Sequence, residues 1–230
     1  MTGVPVQTAV ISLRPAQIRR RQRILKAAKR LFLDQGFGHS SMEAIAALAQ
    51  VSKATLYGYF ASKEALFAAV IEARRQRYTK QLGSVKLFAL PAPVGLELIA
   101  TTLLELILSK ESLALYRVVV AEAPRFPQMA AAFYHSGPGR LRRHLSDYLS
   151  ELARRGELVP SDSELAAGQF LGLVQGPLHF QHLLGLGEDL SSERLRRVAA
   201  SAVATFLRAL TPTAGSAVPA PDRARIPQSR

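Results

Sequence analysis

"SSMEAIAALAQVSKATLYGYFASKEALFAAVI", residues 40–71, sets serines at intervals in front of short apolar periods. Ser40 and Glu43 have capping-box spacing ahead of Ile45, Leu48 and Ala49, which predicts a short helix over about 41–49. Ser52 is placed to cap a second short helix through Tyr59. Ser62 is placed to cap a longer one whose buried stripe is Leu66, Phe67, Val70 and Ile71. Two helices of about two turns joined by Gln50-Val51-Ser52 fit a helix-turn-helix. On a helix starting near Ser52, Leu56 and Phe60 lie four apart and pack inward. Lys53, Thr55, Tyr57 and Tyr59 then project elsewhere.

Upstream, "QIRRRQRILKAAKRLFLDQG" (17–36) puts Ile18, Leu25, Ala28 and Phe32 near one helical face and stops at Gly36, a residue suited to a left-handed helix end. The charge supports a polyanion-facing unit. The net charge of the chain is +13, and residues 1–82 carry 14 Lys and Arg against 4 Asp and Glu, leaving 16 against 13 for the rest. An excess segregated in this way attracts nucleic acid or an anionic membrane at long range. Lys53 and Thr55, near the start of the second short helix, suit base edges in a major groove, and Tyr57 and Tyr59 suit phosphate oxygens. Arg19, Arg20 and Arg21 could reach phosphates or a minor groove, although an Arg run is also an ordinary solvated face.

The string "SMEAIAALAQVSKATLYGYFASKEALFAAVI" (41–71) resembles the DNA-binding domain of the TetR family of bacterial transcription regulators, with its Ile-Ala pair, turn, Thr-Leu-Tyr-x-Tyr-Phe core and following Lys-Glu-x-Leu. The match spans roughly residues 19–72. One departure is Gln50, where the family usually has Gly, so a non-glycine residue is expected in a left-handed turn position at a cost of about 1 kcal/mol. The resemblance implies that Ser41 and Lys63 anchor the flanking DNA strand. Ser41, Ser52 and Ser62 cap helices in either case.

Beyond residue 85, "GSVKLFALPAPVG" has the proline content of a connection, and the remainder is apolar and helical in period, broken at Pro124, Pro127 and Pro138. "AEAPRFPQMAAAFY" resembles the ligand-binding domain of an AcrR- or AefR-like branch of the family. Ser161 and Glu164 have capping-box spacing at the head of a late helix. That helix carries Gly168, Gly172 and Gly176 four residues apart, a stripe where another backbone can approach closely, and Pro177 should kink it. The last helix offers Ala199, Ala202 and Ala209. By resemblance these two helices form a homodimeric four-helix interface; packing within one chain is the alternative. Tyr116, Phe133, Phe170, Gln175 and His179 are candidates to line a pocket for a largely apolar effector, neutral or anionic, although aromatic residues at this spacing also serve as plain core.

The expected architecture is all-α: an arm (1–17), a three-helix DNA-binding domain containing the helix-turn-helix (18–82), a larger helical ligand-binding and dimerisation domain (83–210), and a disordered tail (211–230) poor in large apolar side chains. With no cysteine, and with nothing fixing the geometry of His135, His144, His179 and His182, no metal or cofactor is expected. No nucleophile motif or phosphate loop points to an enzyme. No apolar run is long enough for a membrane span, so a cytoplasmic protein is expected. The function these features imply is a ligand-responsive regulator, most simply a repressor, released from a palindromic operator by a small apolar effector. The rival is a basic helical protein that binds anionic membrane or acidic partners.

Overall fold

A computed structural model of the protein describes residues 14–83, 87–159, 161–188 and 191–211. The described residues form ten α-helices, one 3-10 turn at Leu87–Ala89 and no strand. In order the helices are α1 (Pro15–His39), α2 (Met42–Leu48), α3 (Lys53–Tyr59), α4 (Lys63–Gly83), α5 (Ala92–Ile107), α6 (Lys110–Glu122), α7 (Pro127–Ser136), α8 (Pro138–Arg154), α9 (Ser163–Leu183) and α10 (Ser192–Leu210). No single one is long and apolar enough to cross a membrane. Of the expected arm, residues 1–13 lie outside the described residues, and Pro15 onward is already helix. The expected tail from residue 212 also lies outside them.

Two apolar cores hold these helices. In the first, Ile24, Phe32 and Phe37 of α1, Ile45 of α2, Leu56 of α3, and Leu66 and Phe67 of α4 are fully buried, joined by Phe60 just after α3. The rings of Phe32, Phe37 and Phe67 meet with centroids 5.2–5.5 Å apart. Leu115 and Val119 of α6 and Met129 of α7 complete this same core, so α6 and α7 pack into the helix-turn-helix unit although they come after residue 83. The second core joins α5, α8, α9 and α10, with Leu96, Leu104, Tyr148 and Phe170 wholly enclosed.

Several local expectations shift. Ile18 is exposed, and the buried stripe of α1 begins only at Ile24 and Leu25. Ser41, not Ser40, caps α2 by accepting the Ala44 amide at 3.0 Å; the Ser40 hydroxyl is buried and donates to the Gly36 carbonyl at 2.7 Å. Asp162, not Ser161, caps α9, accepting the Glu164 and Leu165 amides at 3.0 and 3.1 Å. Gly36 is left-handed as expected, at φ +80°, but helix resumes for Phe37–His39 beyond it.

Gln50 sits at φ +53°, the only non-glycine residue with positive φ among the described residues. The reversal between α2 and α3 requires that conformation whichever residue occupies the position. Gly176 takes φ +46° directly before Pro177, and α9 breaks there. A proline cannot donate an amide to the preceding turn, and glycine supplies the backbone angle that the break needs.

Polar bonds hold α6 to its neighbours within the first core and to α9 of the second. The Glu122 carboxylate, at the last residue of α6, accepts the amides of Phe37 (2.6 Å) and Gly38 (2.5 Å), the donors freed where α1 breaks at Gly36. At the other end of α6, Glu111 pairs with Lys29 of α1 (2.5 Å) and with Arg74 of α4. Midway along α6, Arg117 donates to the carbonyls of His182 (2.7 Å) and Leu183 (2.8 Å) that close α9.

Two measurements check this account. Gln50→Gly should raise stability to chemical denaturation by about 0.5–1 kcal/mol by relieving the left-handed strain. Glu122→Ala leaves two part-buried amides without an acceptor and should lower stability by about 2–3 kcal/mol in the same assay.

Candidate nucleic-acid interface

The sequence folds locally so that α2 and α3 start side by side. Ser41 and Ser52 cap them, Ser52 accepting the Thr55 amide at 3.1 Å and sharing a 2.8 Å hydrogen bond with the Thr55 hydroxyl. Lys53, the first residue of α3, forms an ion pair with Glu43 in the first turn of α2. Leu56 and Phe60 anchor the opposite side of α3 in the core, as the spacing predicts. The remaining face presents Lys53 and Tyr57 to solvent with Thr55 half-buried between them, and the Lys53 ammonium lies 6.0 Å from the Tyr57 ring centroid.

The other expected contacts divide. Tyr59 is half-buried, its ring beside Phe60 and its hydroxyl 3.4 Å from the Gln17 carbonyl, so its side chain is already engaged within the protein. Arg19 and Arg20 are exposed on α1 with Arg14, Arg23 and Lys26, whereas Arg21 is half-buried with its guanidinium over the Phe60 ring. Lys63 is corrected. Its ammonium donates to the carbonyls of Phe37 (2.7 Å) and Ser40 (2.9 Å) and lies 4.4 Å from the Phe37 ring centroid, so two of its three protons close the end of α1. Burial there lowers its pKa against the opposing pull of Glu64 and Glu122. Sequence reasoning missed Glu43 as the partner of Lys53; an acid in so basic a stretch is the signal that could have found it.

In the C-terminal helices the structure gathers three of the five pocket candidates. Tyr116 of α6 meets Phe133 of α7 edge-on at 5.7 Å and His179 of α9 edge-on at 5.3 Å. Burial, reinforced by the charge of His182, lowers the His179 pKa, which favours a neutral imidazole. Phe170 is corrected, because it is fully enclosed in the second core against Phe206 at 5.0 Å. Gln175 is half-buried on α9 outside the aromatic trio. Two surface clefts lie away from the trio, one lined by His135, Arg140, Arg143 and His144, the other by Leu173, Arg197, Ser201 and Thr205. The described residues contain no cluster of three metal-ligating side chains.

The small-residue faces also divide. Nothing stands within 4 Å of a Cβ added at Gly168, Gly172 or Gly176, and Leu165, Leu173 and Phe180 are exposed on the same helix. Ala199 and Ala202 are instead buried in the second core of their own chain, and Ala202 also lines the second cleft. The outward side of α10 carries Ala200, Ser201, Ala204, Thr205 and Ala209.

Comparison with known proteins agrees with this geometry. Residues 24–70 match the family model for bacterial regulatory proteins of the TetR family, and residues 94–211 match the AefR-like transcriptional repressor C-terminal domain. The chain belongs to the TetR family of transcriptional regulators. Among its TetR-family relatives, the HTH-type transcriptional regulator UidR of Escherichia coli K12 is 28% identical over 187 residues, covering 79% of this chain and 87% of that protein. The solved structure of the flavonoid-responsive regulator FrrA is similar at 38% identity and a TM-score of 0.69, covering 85% of this chain and 99% of that one. A TetR-family regulator from Mesorhizobium loti MAFF303099 is similar at 28% identity and a TM-score of 0.70, covering 85% and 98%. The HTH-type transcriptional repressor NicS of Pseudomonas putida KT2440 is 41% identical over 68 residues, 29% of this chain.

Tyr57→Phe tests the interface as a whole. Loss of one phosphate-facing hydroxyl should weaken binding to specific and random duplexes by a similar factor of about two to five, read by fluorescence anisotropy at fixed salt.

Proposed function

We propose that the protein is a homodimeric transcriptional repressor whose two α3 helices read the half-sites of a pseudo-palindromic operator, and that a small apolar effector releases it. The observation that carries this reading is the face of α3 that presents Lys53 and Tyr57 to solvent, with Thr55 half-buried between them, on the strongly basic N-terminal part of a TetR-family chain. The dimer is proposed to form through α9 and the outward side of α10, with the open Gly168, Gly172 and Gly176 stripe admitting the partner's backbone and Leu165, Leu173 and Phe180 supplying apolar area around it. Such a dimer would set the recognition helices about one DNA turn, roughly 34–36 Å, apart or at a simple variant of that spacing. On this reading residues 18–82 bind DNA and residues 83–210 bind effector and partner, with α6 and α7 of the second segment packed into the first core.

The effector site is proposed at Tyr116, Phe133 and His179. Its walls are ring edges and a neutral imidazole, which suit a flat, mainly apolar molecule with a hydrogen-bonding rim. Likeness to a flavonoid-responsive regulator supports a polyphenol of that class. Entry of such a ligand would press on α6, which is bonded to α9 through Arg117 and to α1 through Glu111 and Glu122. A ligand that fits only a displaced α6 favours the dimer shape that no longer matches the groove. No catalytic step enters this function, and its setting is the cytoplasm, where the operator lies.

Selection of bound fragments from random duplex DNA tests the core claim and should return an inverted repeat. Retention on anionic vesicles, with no duplex preferred over random competitor, would instead support the membrane-binding reading. Gly172→Leu should sediment as monomer at concentrations where the parent is dimeric. Tyr116→Ala and His179→Ala should keep operator affinity but need about tenfold or more of a flavonoid for half-release, a change of about 1.4 kcal/mol or more in effector binding. An unchanged response in both variants would move the pocket elsewhere.

A further inference from the structure

The Glu43–Lys53 pair is unexpected on a DNA-facing surface. Residues 1–82 contain four acidic residues, Asp34, Glu43, Glu64 and Glu72, and Glu43 alone falls within α2 and α3. Asp34 pairs with Arg30 along α1, and Glu72 is gripped by Arg75 on α4. Glu43 stands instead at the start of α2, its carboxylate on the ammonium of the residue best placed to read a base. Both side chains are more than half exposed, at 58% and 60%, so neither is there to fill the core. An exposed ion pair also adds little to stability. A carboxylate at this place is repelled by nearby phosphates and lowers affinity for every duplex, whatever its sequence.

The chemistry of lysine supplies a reason for the pair. Its ammonium is a point charge on a four-carbon stem, and an unrestrained one swings to the phosphate oxygens that surround it in a groove. Glu43 takes one of the three ammonium protons, fixes the direction of the stem along the seam between α2 and α3, and adds a negative field that disfavours phosphate as the competing partner. Two protons remain, matching guanine O6 and N7. The Tyr57 ring centroid lies 6.0 Å from the same ammonium.

We propose that Glu43 is a specificity-determining residue that positions Lys53 for guanine in the major groove, giving up affinity for DNA in general to sharpen one base pair of each half-site. The proposal rests on the operator-binding reading above.

The experiment is selection from random duplex DNA with the full chain as parent, Glu43→Gln, Lys53→Ala and the double variant, together with anisotropy on one fixed random duplex and a thermal melt of each protein. Glu43→Gln keeps the shape and removes the charge. It should bind the random duplex about two- to fivefold tighter at low salt and lose about fivefold or more of the guanine preference at one position per half-site. In the Lys53→Ala background the same substitution should leave base preference unchanged. A parent consensus that Glu43→Gln keeps equally sharp overturns the proposal alone. Equal losses on operator and random duplex overturn it in favour of a structural role. A change of preference in the Lys53→Ala background overturns it in favour of Glu43 reading a cytosine amino group itself. A parent that selects no consensus overturns the operator reading together with it.

Discussion

The bond between the Glu122 carboxylate and the amides of Phe37 and Gly38 ties the DNA-facing helices to the rest of the molecule. A helix that breaks at a left-handed glycine frees backbone donors and acceptors in a place that packing has half closed to water. Those groups must find partners within the protein. Glu122 takes the donors and Lys63 takes the carbonyls of Phe37 and Ser40. The broken end of α1 is thus closed from both sides by charged groups, one from α6 and one from α4. Because these bonds are charge-assisted and part-buried, they are stronger and more sensitive to direction than surface ion pairs. The angle between α6 and α1 is therefore held by hydrogen-bond geometry as well as by apolar contact.

Helix α6 occupies an unusual position. Its Leu115 and Val119 are core residues of the helix-turn-helix unit, yet its Tyr116 and Arg117 face α7 and the broken end of α9. Arg117 links α6 directly to the segment of α9 beyond Gly176, with no loop between them. The Gly176-Pro177 break lets the end of α9 turn toward α6 while the first part of α9 stays in the second core and leaves its glycines open to a partner.

On the operator-binding proposal, the exposed cations along α1 would supply attraction indifferent to sequence, while the α3 residues assigned to discrimination are few and short of freedom: Thr55 is engaged by its own cap, and Lys53 is paired. Restraint of this kind lowers affinity and narrows the set of partners that a side chain can accept, which is how a small interface separates one duplex from many.

Local chemistry made much of this legible from the chain itself. The helical periods, the Ser52 cap, the inward Leu56 and Phe60, the break at Gly176-Pro177 and the all-helical class depend on neighbours within about four residues, so residue spacing encodes them, while the left-handed Gln50 is expected from the family resemblance. Cap positions slipped by one at Ser40 and Ser161 because adjacent residues offer equivalent oxygens, and backbone geometry chooses between them. The inward turn of Lys63, the burial of Phe170, Ala199 and Ala202, the pairing of Lys53 with Glu43, and the passage of α6 and α7 into the first core were not legible. Each depends on a group from another helix, and α5 and α10, which share the second core, lie more than 80 residues apart in the chain. Residue spacing along the chain encodes the helical segments and the outward side of α3. The tertiary structure alone decided which charges are spent holding helices together and which remain for a ligand, because hydrogen bonds and burial across helices depend on distances that no local spacing records.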